Sequence, residues 1–318
     1  MEIENIQMKT PIIVVCGPTA SGKTGLAIDI ARKYNGEIVS ADSMQIYKYM
    51  DIGTAKPTKS EQLKAKHHLI DFLEPHEEFS VADYTVLAHK TIEDIVKRGK
   101  LPIIAGGTGL YINSVINDVT FGEIDTDHKL REELEKRAEV EGVDVLIKEL
   151  AEFDKVSAKK IHPNNLRRVI RAIEFYKTTG VPISEHQENT KKTISRYTPL
   201  MLMINHERDV LYERINMRVD IMIKEGLVDE VKHLMNMGYS AALNSMKGIG
   251  YKEIMGALDG EYSLDEAIEM IKLGSRHYAK RQLTWFRRDE RIYYLDAEGD
   301  VFEKAQKLID KFLIERSI

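Results

Sequence analysis

Ile12-Ile13-Val14-Val15-Cys16-Gly17-Pro18-Thr19-Ala20-Ser21-Gly22-Lys23-Thr24 is the stretch on which the fold turns. A short apolar run leads into G-x-x-x-x-G-K-T, and beyond it Leu26, Ala27, Ile30, Ala31 and Tyr34 recur at helical spacing. Strand, glycine-rich loop and helix in that order make a cradle where successive backbone N–H groups and the positive helix end converge on anionic oxygens. Lys23 neutralises phosphate charge in such a cradle, and the Thr24 hydroxyl is placed to ligate Mg²⁺. Gly17, Pro18, Thr19, Ala20, Ser21, Gly22, Lys23 and Thr24 are therefore expected to bind a diphosphate or longer polyphosphate. Gly36 is expected to close the helix.

Outward from this unit, residues 37–43, 68–73 and 101–105 read as further short strands with helical or loop material between them, and residues 197–205 resume the pattern. Alternation of strand and helix argues a parallel sheet covered on both faces. Residues 120–192 differ in character. Residues 127–141 are highly charged with helical spacing, and residues 164–179 form an amphipathic helix between Pro163 and Gly180-Val181-Pro182. The expected fold is α/β, a P-loop NTPase-like parallel sheet flanked by helices, with an all-helical insertion domain. Residues 1–119 and 193–318 would form the core with a helical C-terminal part, and 120–192 the insertion. In that C-terminal part Leu211, Ile215, Val219 and Met222 form one stripe, and Leu227, Val231, Leu234 and Met235 another.

The chain has 318 residues, 43% hydrophobic and 31% charged, enough for one large domain with an insertion or for two domains. Its longest apolar stretches are strand-sized, and the first ten residues lack the apolar core of a signal peptide, so a cytoplasmic location is expected. The single cysteine, Cys16, leaves no disulfide and no zinc-module pair, and it reads as core. A net charge of −5 argues against coating nucleic acid through global charge. Local basic clusters exist nevertheless: Arg167, Arg168 and Arg171 on the insertion helix, and Arg276, Lys280, Arg281, Arg287 and Arg288 around Gln282-Leu283-Thr284-Trp285-Phe286. Such runs are usually solvated faces, but two clusters on an acidic chain, one interleaved with aromatics, favour a nucleic-acid contact.

Three segments place chemistry at the carboxyl edge of the sheet, beside the cradle. Ser40-Ala41-Asp42-Ser43-Met44-Gln45 ends the second strand, and Asp42 there suits a metal-side ligand, a general base or a cap. Leu69-Ile70-Asp71 looks like the apolar run plus aspartate of a Walker B strand, and position alone does not separate Asp71 from Asp42. Gly106-Gly107-Thr108-Gly109 permits close backbone approach to a ligand and offers the Thr108 hydroxyl, although a tight strand-to-helix turn would use the same glycines. Arg214 and Arg218, one helical turn apart, suit a phosphate clamp or ion pairs with Glu213 and Asp220. The histidines form no metal-binding set, and His68 reads as structural.

Taken in order, the cradle, Ser40 to Tyr47, Met50 to Pro57, His67-His68-Leu69-Ile70-Asp71, Gly106 to Tyr111, Lys247-Gly248-Ile249-Gly250-Tyr251 and Lys280 to Arg287 resemble the motifs of the bacterial tRNA dimethylallyltransferase family. The likeness spans nearly the whole chain. It implies that the cradle holds dimethylallyl diphosphate with Mg²⁺. It further implies that the dimethylallyl group is transferred to N6 of the adenosine 3′-adjacent to the anticodon, in tRNAs reading codons that begin with U, giving N6-isopentenyladenosine. The implied catalytic residues are Asp42 as general base, Thr108 near the bridging oxygen and Arg218 on the diphosphate, with Thr24 the implied metal ligand. The implied tRNA contacts are Asp42, Ser43, Met44 and Gln45 to the extruded adenine; Leu166, Arg167, Arg168, Val169, Ile170 and Arg171 to the anticodon stem-loop; and Lys247, Gly248, Gly250, Tyr251, Arg281, Gln282, Trp285 and Arg287 to its backbone. The expected partners are a tRNA anticodon stem-loop and dimethylallyl diphosphate, with no membrane, for a chain acting as a monomer. Three rivals stand beside this: a P-loop kinase, a transferase acting on free adenylate, and a non-catalytic RNA-binding NTPase.

Overall fold

The computed structural model describes residues 9–119, 128–191 and 194–315. The first eight residues and the expected start and end of the insertion, at 120 and 192, lie outside the described residues. Within them the strands are β1 (Thr10–Cys16), β2 (Gly36–Ser40), β3 (His67–His68), β4 (Leu101–Gly106), β5 (Tyr197–Asn205) and β6 (Ile292–Asp296). They form one sheet in the order β3-β2-β4-β1-β5-β6, every neighbouring pair parallel. The expected P-loop-type α/β architecture is therefore the observed one. β1 lies between β4 and β5, where the chain order reverses, and a crevice opens there at the carboxyl ends of the strands.

Alternation along β1 explains why it reads as an unbroken apolar run. Ile12, Val14 and Cys16 are buried with Val39, Ile104, Met203 and the helices Val81–Lys97 and Gly109–Ile116. Ile13 and Val15 are buried on the other face with Ile38, Leu202, Ile30 of Lys23–Lys33 and Ile309 of Val301–Ile314. Both faces are covered, so neither set of alternate residues can be polar. Cys16 is fully buried, and its thiol is pushed up to about 12 by that burial, which leaves it inert.

Three local expectations are corrected. The left-handed residue after Lys23–Lys33 is Asn35 (φ 51°), not Gly36. Gly36 instead opens β2, where a Cβ would lie 2.8 Å from the Leu101 carbonyl oxygen. The second strand stops at Ser40, because Asp42 accepts N–H bonds from Met44 (2.9 Å) and Gln45 (3.4 Å) and turns the chain. The third strand is only two residues long, since Leu69 and Asp71 both adopt positive φ of 57°. Asp71 is thus not at the end of a Walker B strand, and its Oδ1 is held by the buried Lys56 ammonium at 2.8 Å.

At the opposite, amino edge of the sheet Glu37 is buried among cations. Its carboxylate accepts from Arg98 and from Lys100 (2.7 Å), and meets His68 Nε2 at 2.7 Å. Arg98 above all, then Lys100 and His68, hold it well below the ordinary carboxylate range. The brace joins β2, β3, β4 and the end of the Val81–Lys97 helix.

By compactness the chain divides into one unit of Met1–Ile116 with Arg196–Ile318 and another of Asn117–Ser195. In the first, the helices Arg208–Lys224, Leu227–Asn236, Tyr251–Leu258 and Leu264–Phe286 bury Val219, Leu227, Val231, Leu234, Ile254 and Ile271 in one cluster with Ile46, Tyr47, Met50 and Leu73. The second is all helical among its described residues: His128–Glu141, Val143–Phe153, Lys155–Lys160, Leu166–Thr179 and Ile183–Lys191. Its core is Leu134, Leu146, Leu150, Val169, Ile170 and Ile173. Among the described residues no helix is long and apolar enough to cross a membrane.

Candidate active site

The loop after β1 turns sharply through positive φ at Gly17 (137°), Ala20 (61°) and Gly22 (91°). Side chains hold its carbonyls: Lys23 Nζ donates to Pro18 O (3.1 Å), Arg214 Nε to Ala20 O (2.9 Å) and His206 Nε2 to Ser21 O (2.9 Å). These bonds fix three carbonyls of the turn, and with them the loop's conformation. The Ser21 hydroxyl is buried and has no hydrogen-bond partner among the described residues. Burial, then the neighbouring Arg218 charge, lower Lys23 to about 8. An anion in the cradle would relieve both effects.

Arg218 is half-buried and donates to Thr19 Oγ1 at 3.4 Å, its guanidinium drawn down by burial. Neither arginine of the expected pair bonds Glu213 or Asp220: Arg214 holds the loop, and Asp220 pairs with Lys272 at 3.0 Å. Across the crevice, Thr108 N–H donates to Ala41 O (3.0 Å) and Thr108 Oγ1 accepts from Ser43 N–H (3.1 Å), which ties the glycine-rich turn after β4 to the Asp42 turn. Gly106 has no alternative here, because a Cβ would stand 2.2 Å from the Ala41 carbonyl oxygen.

A cavity of about 370 Å³ joins these parts. Thr19, Lys23, Thr24 and Arg218 line one part of it, and Asp42, Ser43 and Met44 another, with Ile215, Val219, Met222, Ile249 and Ile271 as apolar wall. A second cavity, of about 670 Å³, shares Lys23, Thr24 and Arg218 and adds Lys56, Lys59 and Arg214. The first cavity thus has both cationic and apolar lining, which suits a ligand with an anionic head and a hydrocarbon tail.

Several expected tRNA contacts have other employment. The Gln45 amide bonds to Thr54 O (3.3 Å), Ala55 O (3.1 Å) and Ser40 Oγ (3.2 Å), and the side chain lines the cavity. Gln282 is buried between Thr19 N–H (3.0 Å) and Gly107 O (2.9 Å). Tyr251 is buried and donates to Glu230 (2.7 Å), and Gly250 is buried beside it. Glu230 also accepts from the consecutive amides of Asp51 (2.9 Å), Ile52 (2.7 Å) and Gly53 (3.0 Å), anchoring the loop that holds Gln45. In the second unit Val169 and Ile170 are core, Leu166 packs against that core, and Arg171 pairs with the buried Glu174 at 3.1 Å. Arg167 and Arg168 are exposed, as are Lys247, Arg281, Trp285 and Arg287, and Gly248 is half-buried.

Tyr278 is a site residue that the motif reading passed over. Its phenol faces Asp42, Thr108 and Gln282, and is pushed up to about 12 by burial and then by the Asp42 charge. The signal was present, because Ile271, Ser275, Tyr278 and Gln282 recur at i, i+4, i+7 and i+11 along Leu264–Phe286, and all four line the cavity.

A family model described as IPP transferase matches residues 45–289. The chain is 53% identical over 298 residues to the tRNA dimethylallyltransferase of Acetivibrio thermocellus, covering 94% of this chain and 95% of the relative. It is 50% identical over 310 residues to that of Caldanaerobacter subterraneus subsp. tengcongensis, covering 96% and 98%. Among solved structures, the full-length tRNA isopentenylpyrophosphate transferase of Bacillus halodurans aligns with a TM-score of 0.73 at 45% identity, over 97% of this chain and 98% of that one. A eukaryotic dimethylallyltransferase acting on tRNA aligns with a TM-score of 0.85 at 31% identity, over 97% and 81%.

Proposed function

The chain belongs to the IPP transferase family, and from that premise we propose that it moves a dimethylallyl group from dimethylallyl diphosphate to N6 of the adenosine 3′-adjacent to the anticodon, in tRNAs reading codons that begin with U. The observation that carries the reading is one cavity in which a carboxylate, a phosphate cradle and an apolar wall meet. The N6 lone pair is delocalised into the adenine ring and attacks weakly unless its proton is removed. Asp42, with Oδ1 held by Met44 and Gln45 N–H groups, keeps Oδ2 to accept that proton. As the N6–C1 bond forms, the C1–O bond breaks and diphosphate leaves. Lys23, Arg218 and the loop amides stabilise the charge growing on it. Met222, Ile215 and Val219 exclude water from the allylic carbon, which carries cationic character midway.

Mg²⁺ belongs to this proposal. Thr24 and Asp42 offer hard oxygens on the cavity wall, and among the described residues no three His, Cys, Asp or Glu side chains form a metal cluster. Mg²⁺ takes few protein ligands and completes its shell with phosphate oxygens and water. Thr24 would hold it, and it would offset diphosphate charge. A buried Cys16 outside any disulfide and a reaction on tRNA support a cytoplasmic location.

The test is to incubate the protein and Mg²⁺ with an unmodified anticodon stem-loop carrying three consecutive adenines, with labelled dimethylallyl diphosphate in one arm and γ-labelled ATP in another. Label is expected on RNA from the prenyl donor alone. Asp42→Ala should lower turnover about 10²- to 10⁴-fold while RNA affinity stays within about twofold. Phosphate moved from ATP with no prenyl label on RNA would make this a kinase, and normal turnover by Asp42→Ala would remove Asp42 as the base.

A further inference from the structure

We infer that Gln282 is a positioning residue that locks the phosphate cradle to the acceptor side of the cavity; the inference rests on the transferase reading above. The pairing of β1 with β4 ends at Cys16 and Gly106. Beyond that register the cradle and the Gly107-Thr108 turn are separate loops, and the Gln282 amide joins them. Its Oε1 accepts from Thr19 N–H at 3.0 Å, and its Nε2 donates to Gly107 O at 2.9 Å. The side chain is 6% exposed, so neither bond competes freely with water.

Contact around this amide leaves no slack. A Cβ on Gly107 would stand 2.2 Å from Gln282 Nε2 and 3.3 Å from Gly17 O, so the two turns and the amide already touch. A shift of Gly107 passes directly to its neighbour Thr108, which holds Ser43 N–H and, through it, the Asp42 turn. Tyr278, one helical turn before Gln282, faces the same Thr108. The donor thus binds one side of the Gln282 amide and the base stands on the other. Alkyl transfer needs the breaking C–O bond and the attacking nitrogen aligned, and a misplacement of about 1 Å costs on the order of 10²-fold. Water competes for the same cationic carbon, so misalignment should appear as partition as well as speed.

The experiment uses the full chain with Gln282→Met, which keeps length and removes both bonds, Gln282→Glu, which keeps the Thr19 bond and repels Gly107 O, and Gly107→Ala, which presses on the amide from the other side. Single turnovers with labelled dimethylallyl diphosphate and the stem-loop are resolved into prenylated RNA and dimethylallyl alcohol. In at least two variants kcat should fall about 10- to 100-fold, with KM for the donor and Kd for RNA within about twofold, and a larger share of the label should end in the alcohol. Unchanged kcat and partition would overturn the inference. So would a loss of turnover that tracks lower Tm and weaker binding of both substrates at unchanged partition. A wild-type chain that fails to prenylate RNA would overturn the transferase reading itself, a result distinct from either.

Discussion

Lys23 shows how burial turns a cation of the glycine-rich loop into a titrating group near neutrality. Its ammonium is lowered from an ordinary 10.5 to about 8 by desolvation and by Arg218. The folded chain therefore binds fewer protons than the unfolded chain between about pH 8 and 10.5, so the stability penalty of burying this charge is complete below pH 8 and is relieved as pH rises. For binding the sign reverses. The anion favours the protonated form, so affinity for inorganic diphosphate, after correction for the anion's own ionisation, should fall as pH rises through about 8, with proton uptake there. Calorimetry from pH 7 to 9.5 in buffers of differing ionisation enthalpy tests this, and a flat profile would contradict it. The role of Lys23 was legible because loop, lysine and helix are contiguous in sequence. The roles of Gln45, Gln282 and Tyr251 were not, since a motif records residue type and spacing but not which distant backbone group takes the amide or hydroxyl. Arg171 was readable in principle, because its partner Glu174 lies one helical turn away.

Among elements, β2 is the one whose two ends do different work. Its carboxyl end delivers Asp42 to the cavity, while Glu37 near its amino end gathers Arg98, Lys100 and His68. Glu37→Gln removes a buried charge from half-exposed cations and should cost about 3 kcal/mol, lowering Tm by roughly 6 to 12 °C. Turnover at permissive temperature should change little, because the brace is at the sheet edge away from the cradle. Arg98 above all keeps this carboxyl low, so its contribution is complete above the unfolded value near 4.5 and declines as pH falls below it. The Tm gap between wild type and variant should therefore narrow from pH 5 to pH 3, and a gap independent of pH would rule out an ionic origin. β1, β4 and β5 could be read from apolar runs. β3 could not, because a strand of two residues is defined by its pairing to β2 and carries no period of its own.

For the whole molecule, the chain divides into a unit that carries the candidate cavity and a helical unit that exposes Arg167 and Arg168. Among the described residues Arg167 and Arg168 make no ion pair like the one that holds Arg171. Reversing both to glutamate should weaken stem-loop binding about 10- to 100-fold at low salt and reduce the slope of log K against log salt by roughly 1.5 to 2, with donor affinity unchanged. Filter binding across a salt series measures this, and an unaltered slope would move the RNA surface elsewhere. The central position of β1 has a further consequence, for biosynthesis. Thr10–Cys16 leaves the ribosome first of the strands, yet one hydrogen-bonding edge waits for β4 and the other for Tyr197–Asn205. At about 5–20 residues per second that second partner arrives on the order of 10–40 s later. Meanwhile the strand that carries the cradle remains an apolar, half-paired nascent segment, and the helical unit encoded between β4 and β5 can finish folding before it. The most conspicuous motif in the sequence, synthesised first, thus completes its strand pairing only once nearly two-thirds of the chain has been made.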